Sequence, residues 1–325
     1  MTSDYPFGFR VVGPVHEERR LVDAAAAFAA HCAADPRSQP ESECYLSAFT
    51  YGADFRTHLA QRGTPKGFTG PCRSPYLWLD VDRDDPAVAL ADTRKLASFV
   101  LFWYAQFGDD DLLYFFSGRR GFHIGVPLVH NPPASVAFNA VCRRLAEGLA
   151  AEAGVPIDAS VYDKVRLFRA PNSAHPKTRL HKRRLTYDEL MRLPIDRIRE
   201  LAAAPLAFEV PDVTACPPTL ATEWAAAEAE RREQNAALVG RESAAGSRLQ
   251  RATLEFIASG AAEGERHTRL FRAAGDLCEH GAPGELVHAL LTEAALDSGM
   301  SPSEVARTIN CGIENTEAKA RGGAA

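Results

Sequence analysis

The stretch LWLDVD, residues 77–82, decides how the rest of this sequence is interpreted. Side chains alternate between the two faces of a strand, so its two leucines and its valine would point into a core. Asp80 and Asp82 would then project together from the other face. Neighbouring carboxylates repel each other unless a cation lies between them, and hard divalent ions take oxygen ligands. The stretch therefore predicts a buried strand that carries a divalent metal site.

A second stretch, SGRRGFH at residues 117–123, gathers side chains that bind phosphate. It places the Ser117 hydroxyl, the guanidinium groups of Arg119 and Arg120 and the imidazole of His123 around a turn bracketed by glycines. Such groups can surround phosphate oxygens. A metal site together with a phosphate cradle indicates phosphoryl or nucleotidyl transfer.

A third stretch is strongly basic, with no acidic residue from Lys164 to Tyr187. In a chain with a formal net charge of −5, this run predicts a local electropositive patch for triphosphate or a nucleic-acid backbone. If the chain there is extended, Ser173, His175 and Lys177 lie on one face and supply further phosphate donors. A solvated basic loop is the simpler alternative.

The composition is that of a globular protein, with 46% hydrophobic and 24% charged residues among 325. The net charge argues against a histone-like protein that coats nucleic acid, but allows an enzyme with one basic groove. The seven cysteines form no CxxC pair, so we expect free thiols and no structural zinc. The first residues lack the pattern of a secretion signal, and the most apolar run is too short to span a bilayer. We therefore expect a cytoplasmic protein without a membrane partner.

Predicted elements divide the chain into three parts. Strand and helix patterns alternate over residues 1–210, including a hairpin between the runs 112–116 and 122–126 and a helix from about 93 to 107. Residues 211–245 are interpreted as a proline-rich linker followed by an exposed helix. Residues 246–325 carry only helical patterns, with Ser301 as a helix cap. These patterns predict an α+β catalytic domain and a small all-helical C-terminal domain.

The three stretches, in this order and spacing, resemble the motifs of the archaeo-eukaryotic primase superfamily of primase small subunits and primase-polymerases. Residues 79–82 resemble the first motif, whose carboxylates hold the catalytic metals, and residues 117–123 resemble the nucleotide-binding second motif. Ile157-Asp158 resembles the third motif, which adds a metal-binding carboxylate. Residues 169–177 are similar to the run that grips the phosphates of the incoming nucleotide. The resemblance implies catalytic, metal-binding roles for Asp80, Asp82 and Asp158, and nucleotide binding by Ser117, Arg119, Arg120, His123, Arg169, Ser173, His175 and Lys177.

The resemblance also implies the wider properties of the protein. The fold would be an RRM-like primase-polymerase core with flanking αβ elements, followed by the helical domain found in phage and plasmid primases. Two Mg²⁺ or Mn²⁺ ions would serve primer synthesis on a single-stranded DNA template from NTPs or dNTPs. The chain lacks the Cys/His zinc element of archaeal and eukaryotic small subunits, and Arg179 stands where such proteins often have glycine. It also lacks a Walker-type loop, so a replicative helicase would be a separate partner.

Three alternatives remain open at this stage. The same fold could serve as a primer-extending or end-joining polymerase that cannot start a chain. It could instead be a non-catalytic replication or defence module that binds single-stranded DNA or nucleotides, although clustered uncompensated carboxylates argue against a pure binder. A sugar-nucleotide transferase is favoured by the Asp-x-Asp pattern alone.

Overall fold

The computed structural model describes residues 4–244 and 249–322. The chain divides into two compact units. The first consists of residues 1–64, 70–162 and 166–227, and the second of residues 65–69, 163–165 and 228–325. The first unit is a mixed α+β structure with two antiparallel sheets, which confirms the predicted α+β class.

One sheet of the first unit has the strand order β5-β4-β1-β3-β9, and β2 also pairs with β1 outside this order. Its pairings are antiparallel, and β3 lies directly against β9. The strands are β1 (Phe7–Val12), β2 (Arg20–Asp23), β3 (Cys44–Ser47), β4 (Thr50–Tyr51), β5 (Cys72–Arg73) and β9 (Leu167–Arg169).

The other sheet has the order β10-β7-β8-β6 and contains the stretch quoted first. Its strands are β6 (Tyr76–Val81), β7 (Leu113–Phe116), β8 (Phe122–Pro127) and β10 (Arg183–Leu185). The predicted hairpin is confirmed, since β7 and β8 pair antiparallel. Leu77, Leu79 and Val81 are fully buried, as the alternation in β6 predicts. Gly125 lies opposite Trp78, and a Cβ there would come within 2.7 Å of the indole ring.

Helices flank these sheets. They are α1 (Ala24–Cys32), α2 (Ala53–Arg62), α3 (Pro86–Trp103), α4 (Phe138–Ala153), α5 (Tyr187–Arg192) and α6 (Ile195–Leu201). The helix predicted from about residue 93 begins earlier, because the Asp85 side chain caps the Ala87 N–H and Pro86 occupies the first turn. Helix α4 ends at Gly154, whose φ of 60° suits a left-handed C-cap.

The helix predicted as exposed within residues 211–245 is α7 (Pro218–Ala244). Its first turns are exposed on one face only, because Leu220, Trp224 and Ala227 on the other face are buried. The Trp224 ring packs against Phe138 with the ring centroids 4.8 Å apart. The helix therefore has a buried face over its first turns. Residue 245 lies outside the described residues.

The second unit contains the helices α8 (Arg251–Ser259), α9 (Arg266–Glu279), α10 (Gly284–Asp297) and α11 (Pro302–Gly322). These helices share an apolar core that includes Phe256, Leu270 and Leu291. The predicted helix start at Ser301 is confirmed. Its hydroxyl accepts from the Glu304 N–H at 3.3 Å, while the Glu304 carboxylate accepts from the Ser301 N–H at 2.8 Å.

Within residues 4–244 and 249–322, no helix combines the length and apolar composition needed to cross a lipid bilayer.

Candidate active site

One cavity of about 210 Å³ in the first unit brings together residues from the stretches 77–82, 117–123 and 164–187. It is open to solvent and is lined by residues from the strand β6, the turn between β7 and β8, and the strand β9 with the loop that follows it. Of the residues predicted from the sequence, the lining includes Asp80, Asp82, Ser117, Arg119, Arg120, His123, Arg169 and His175.

Asp80 lies near the end of β6, where it pairs across the sheet with His123 on β8. Its Oδ1 lies 3.6 Å from His123 Nε2. Burial, followed by repulsion from Asp158 and Asp82, raises the pKa of Asp80 to about 7. The carboxylates of neighbouring Asp82 and of Asp158, which is distant in the chain, therefore lie close enough to that of Asp80 to repel it.

Asp158 is held next to β6 by its backbone, because its N–H donates to the carbonyl oxygen of Asp80 at 2.8 Å. Its carboxylate accepts from the N–H of Ser160 at 2.9 Å and from the hydroxyl of Ser160 at 2.8 Å. The Arg166 guanidinium lies 4.0 Å from it. Asp158 thus lies close to Asp80 and Asp82, although it is not part of the cavity lining.

Asp82 is paired with a cation, which the sequence argument did not anticipate. The Arg120 guanidinium donates to both of its carboxylate oxygens, at 2.9 and 3.0 Å, and to the exposed Asp84 at 2.6 Å. The assumption that the carboxylates are uncompensated is therefore wrong for Asp82. The reason is the turn between β7 and β8, which brings Arg120 back over the end of β6.

Two glycines allow this turn to approach the acidic residues. Gly118 adopts a φ of 92°, which favours glycine. A Cβ at Gly121 would come within 2.9 Å of the carbonyl oxygen of Val81, so only glycine fits so close to β6. The Ser117 hydroxyl accepts from the Gly121 N–H at 3.2 Å and braces the turn.

Both histidines of the cavity are held in the neutral form. Burial, followed by the charges of Lys182 and Arg169, lowers the pKa of His123 well below its usual value. Burial and the nearby Arg169 lower the pKa of His175 to about 4. The Nδ1 of His175 accepts from the Lys177 N–H at 3.1 Å, which places the proton of the neutral ring on Nε2. His175 is therefore suited to donate a hydrogen bond from Nε2.

The chain over residues 173–177 is not extended, so the condition for Ser173, His175 and Lys177 to share one face is not met. Residues 176–178 form a turn, and Ser173 is buried whereas Lys177 is exposed. The fully buried Ser173 hydroxyl donates to the carbonyls of Ala170 at 2.7 Å and Cys44 at 3.1 Å, so in this structure it stabilises the loop. Lys177 is exposed, and neither Ser173 nor Lys177 lines the cavity. Their binding of phosphate stays a prediction.

The basic run does not form one continuous surface patch. Lys182 is 1% exposed, and Lys164 and Arg183 are also buried. The Lys182 ammonium donates to the Arg169 carbonyl at 2.9 Å and lies 4.1 Å from the centroid of the Phe168 ring. Burial lowers its pKa well below the usual value. Side chains alternate in the short strands of this region, so basic residues close in sequence point in different directions.

Several residues of the site were missed or not singled out from the sequence. Tyr45 on β3, Arg166 and Phe168 all line the cavity, and the Phe168 ring lies 4.3 Å from that of His123. Arg166 was noticed only as one member of the basic run. Nothing near Tyr45 in the sequence signals its position, because the pairing of β3 with β9 brings it there.

The three carboxylates fit hard divalent cations by their chemistry but not by their present orientation. Among residues 4–244 and 249–322, no three His, Cys, Asp or Glu side chains are arranged so that they could hold a metal ion. Asp82 is directed to Arg120 and Asp158 to Ser160. Carboxylate oxygens are nevertheless the ligands that Mg²⁺ and Mn²⁺ prefer, and the mutual repulsion at Asp80 is what a cation would relieve.

The chain has little detectable similarity to known proteins. No known family matches the chain, and no curated protein matches its sequence. Among solved structures, it is similar to the polymerase domain from Mycobacterium tuberculosis Ligase D in complex with DNA, with 17% identity and a TM-score of 0.35. The similarity covers 59% of this chain and 69% of that chain. At this level the likeness supports no conclusion about activity.

Proposed function

We propose that this protein is a metal-dependent nucleotidyltransferase that synthesises primers on single-stranded DNA. Its catalytic unit would be a primase-polymerase core of RRM type, within residues 1–210. Residues 246–325 would form the helical C-terminal domain, and residues 211–245 would connect the two.

One observation carries the proposal: acidic and basic side chains from the predicted motifs meet in a single cavity. Asp80 and Asp82 line it together with Arg119, Arg169 and His175. Nucleotidyl transfer needs both kinds of group, because carboxylates bind the metals while guanidinium groups neutralise the triphosphate. In a protein that only binds phosphate, carboxylates in the same cavity would weaken the binding by repelling the phosphate.

The roles of the residues follow from this arrangement. Asp80, Asp82 and Asp158 would hold two Mg²⁺ or Mn²⁺ ions, which supply activation of the attacking hydroxyl and stabilisation of the leaving pyrophosphate. Positively charged and hydrogen-bonding side chains would position and neutralise the triphosphate. These are Ser117, Arg119, Arg120, His123, Arg169 and His175, together with Ser173 and Lys177 if the loop that carries them rearranges.

The partners would be a single-stranded DNA template, NTPs or dNTPs and a separate replicative helicase. Contacts with template phosphates predict binding that weakens as salt rises. The helical domain would hold the template or the initiating nucleotide, or dock the helicase.

Synthesis on an unprimed template tests the proposal. Purified protein is incubated with circular single-stranded DNA, Mg²⁺ or Mn²⁺, and labelled NTPs or dNTPs in separate reactions. We expect labelled oligonucleotides from the wild type and none from Asp80→Ala or Asp82→Ala, with circular dichroism confirming that both variants fold. A matched control, Asp84→Ala, removes an exposed neighbouring carboxylate and should retain synthesis. Full activity in both the Asp80 and Asp82 variants would exclude this cavity as the active site.

The same assay separates the polymerase alternatives. Extension that requires a supplied primer would identify a primer-extending or end-joining polymerase. Binding of nucleotide sugars without template would indicate a sugar-nucleotide transferase.

A second candidate function is a non-catalytic module that binds single-stranded DNA or nucleotides. The pairing of Asp82 with Arg120 favours it, because a compensated carboxylate is stable without a metal. Metal-independent DNA binding without turnover, unchanged in Asp82→Ala, would support this candidate against the enzyme.

A further inference from the structure

Tyr45 and Arg169 form a cross-strand pair inside the cavity. Strands β3 and β9 run antiparallel, and their register places Tyr45 directly opposite Arg169. Both side chains line the cavity that contains Asp80. Directly opposed residues in an antiparallel sheet have closely spaced Cβ atoms, so their side chains interact strongly.

Two kinds of contact hold the Arg169 guanidinium on this tyrosine. Its Nη2 donates to the Tyr45 hydroxyl oxygen at 3.0 Å, and its central carbon lies 4.8 Å from the centroid of the Tyr45 ring. Its Nη1 donates to the carbonyl of Ala174 at 3.2 Å. A guanidinium carries five N–H hydrogens, so donors remain for the oxygens of a ligand after these two bonds.

Glu43 determines which way the Tyr45 hydroxyl points. The hydroxyl donates to the Glu43 carboxylate, which can only accept while it is ionised. The phenol proton is thereby committed to Glu43, and the oxygen lone pairs are free to accept from Arg169. Burial and the hydrogen bond to Glu43 raise the pKa of Tyr45 to about 12, so the phenol keeps this proton at neutral pH.

We propose that Tyr45 and Glu43 are positioning residues that orient the Arg169 guanidinium toward the triphosphate of the bound nucleotide. The inference rests on the proposed function and extends it to two residues that no sequence motif indicates. Both residues would act through Arg169 and not on the reacting atoms themselves. Their effect is to restrict Arg169 to one orientation before the nucleotide arrives, which reduces the ordering that binding requires.

A graded set of variants tests the proposal, with nucleotide binding and synthesis both measured. Tyr45→Phe keeps the ring and loses the hydroxyl, while Tyr45→Leu loses both. Glu43→Gln keeps an acceptor for the phenol, while Glu43→Ala does not. The dissociation constants of ATP and dATP with Mg²⁺ come from calorimetry, and kcat and KM for the nucleotide come from synthesis assays. Tyr187→Phe, which removes a hydroxyl elsewhere in the first unit, is the matched control.

We expect Tyr45→Phe to weaken nucleotide binding and raise KM on the order of fivefold with little change in kcat, as for the loss of one hydrogen bond of ordinary net strength. Tyr45→Leu should weaken nucleotide binding further. Glu43→Ala should weaken it as much as Tyr45→Phe does, whereas Glu43→Gln should keep most of the wild-type affinity for nucleotide. In an Arg169→Ala background, Tyr45→Phe should have no further effect, because its action passes through Arg169.

The outcomes distinguish this inference from the proposed function. A wild type that binds no nucleotide and makes no product would overturn both. A wild type that binds nucleotide, with unchanged KM in Tyr45→Phe, would overturn the positioning role alone. The positioning role would also be overturned if Tyr45→Phe weakened nucleotide binding equally in the wild type and in the Arg169→Ala background. The same conclusion would follow if Tyr187→Phe weakened binding as much as Tyr45→Phe.

Discussion

The backbone N–H of Asp158 donates to the carbonyl oxygen of Asp80 at 2.8 Å, which holds two predicted metal ligands side by side although they are far apart in the chain. The hydrogen bond fixes the backbones but leaves the carboxylates to repel each other. This repulsion adds to the effect of burial in raising the pKa of Asp80 to about 7. The site therefore stores unfavourable electrostatic energy that a ligand can release.

Replacing Asp80 by Asn is expected to abolish synthesis and stabilise the metal-free protein. The amide cannot repel Asp82 and Asp158, and burying it costs less than burying a carboxylate, so we expect a gain of about 1 kcal/mol in the free energy of unfolding. Urea denaturation in EDTA at pH 8 measures the gain. Asp84→Asn, at a fully solvated carboxylate, is the control and should change little. A less stable Asp80→Asn protein would contradict this account of the site.

Arg120→Ala is expected to change metal and nucleotide binding in opposite directions. Its removal leaves Asp82 without its cation, so Mn²⁺ should bind about fivefold more tightly, as for the loss of about 1 kcal/mol of repulsion. Nucleoside triphosphate should bind more weakly, because one of the guanidinium groups in the cavity is lost. Electron paramagnetic resonance of free Mn²⁺ and calorimetry with dATP measure the two effects. Weaker binding of both ligands would instead indicate damage to the turn.

Gly312→Ala is expected to destabilise the second unit. A Cβ at Gly312 on α11 would come within 2.7 Å of the Phe271 carbonyl oxygen and 2.8 Å of the Ala274 Cβ, both on α9. Overpacking between two helix backbones should cost about 2 kcal/mol. Gly284→Ala is the matched control, since the atom nearest to its Cβ would be the flexible end of the Ile313 side chain at 3.7 Å. Thermal unfolding should show a lower Tm for the first variant only.

The stability of the second unit is expected to depend on pH through Asp297. Burial raises the pKa of Asp297 to about 7, against the opposing charges of Lys164 and Arg231 and with the added repulsion of Glu293 and Asp163. The folded state therefore binds a proton more readily than the unfolded chain, whose aspartate titrates near 3.8. The contribution of Asp297 to the free energy of unfolding is therefore fully present below about pH 4 and is lost as the pH rises through 7.

Asp297→Asn isolates that contribution from other titrating groups. The difference in unfolding free energy between the variant and the wild type should grow by about 1 kcal/mol or more from pH 5 to pH 8, in favour of the variant. Urea titrations at several pH values measure it. A difference that stays constant over this range would show that Asp297 remains charged at pH 5 in the folded protein.

Features governed by local periodicity could be predicted from the sequence. The alternation of residues 77–82 correctly predicted the buried face of β6. The apolar runs around Gly118 and Gly121 predicted the hairpin of β7 and β8, and Ser301 predicted a helix start. Each of these depends on neighbours within a few residues, because strand pleating, glycine turns and helix caps are short-range effects.

The orientation of site side chains could not be predicted in the same way. An extended chain over residues 173–177 would place alternate side chains on one face, but Asn172 and Arg179 flank this segment with φ values of 58° and 63°, and Ser173 is buried. Left-handed backbone at residues other than glycine has no strong local signal.

The hydrogen-bond and ion-pair partners of the cavity side chains depend on contacts between segments that are distant in the chain. Arg120 neutralises Asp82, and Tyr45 meets Arg169, because strand pairing brings together segments that are distant along the chain. Local patterns identify which residues carry charge or hydrogen-bonding groups, whereas strand register, burial and the approach of loops select the partners of those groups. Long-range packing thus separates the cations of the basic run from one another, and one of them, Lys182, lies in the core.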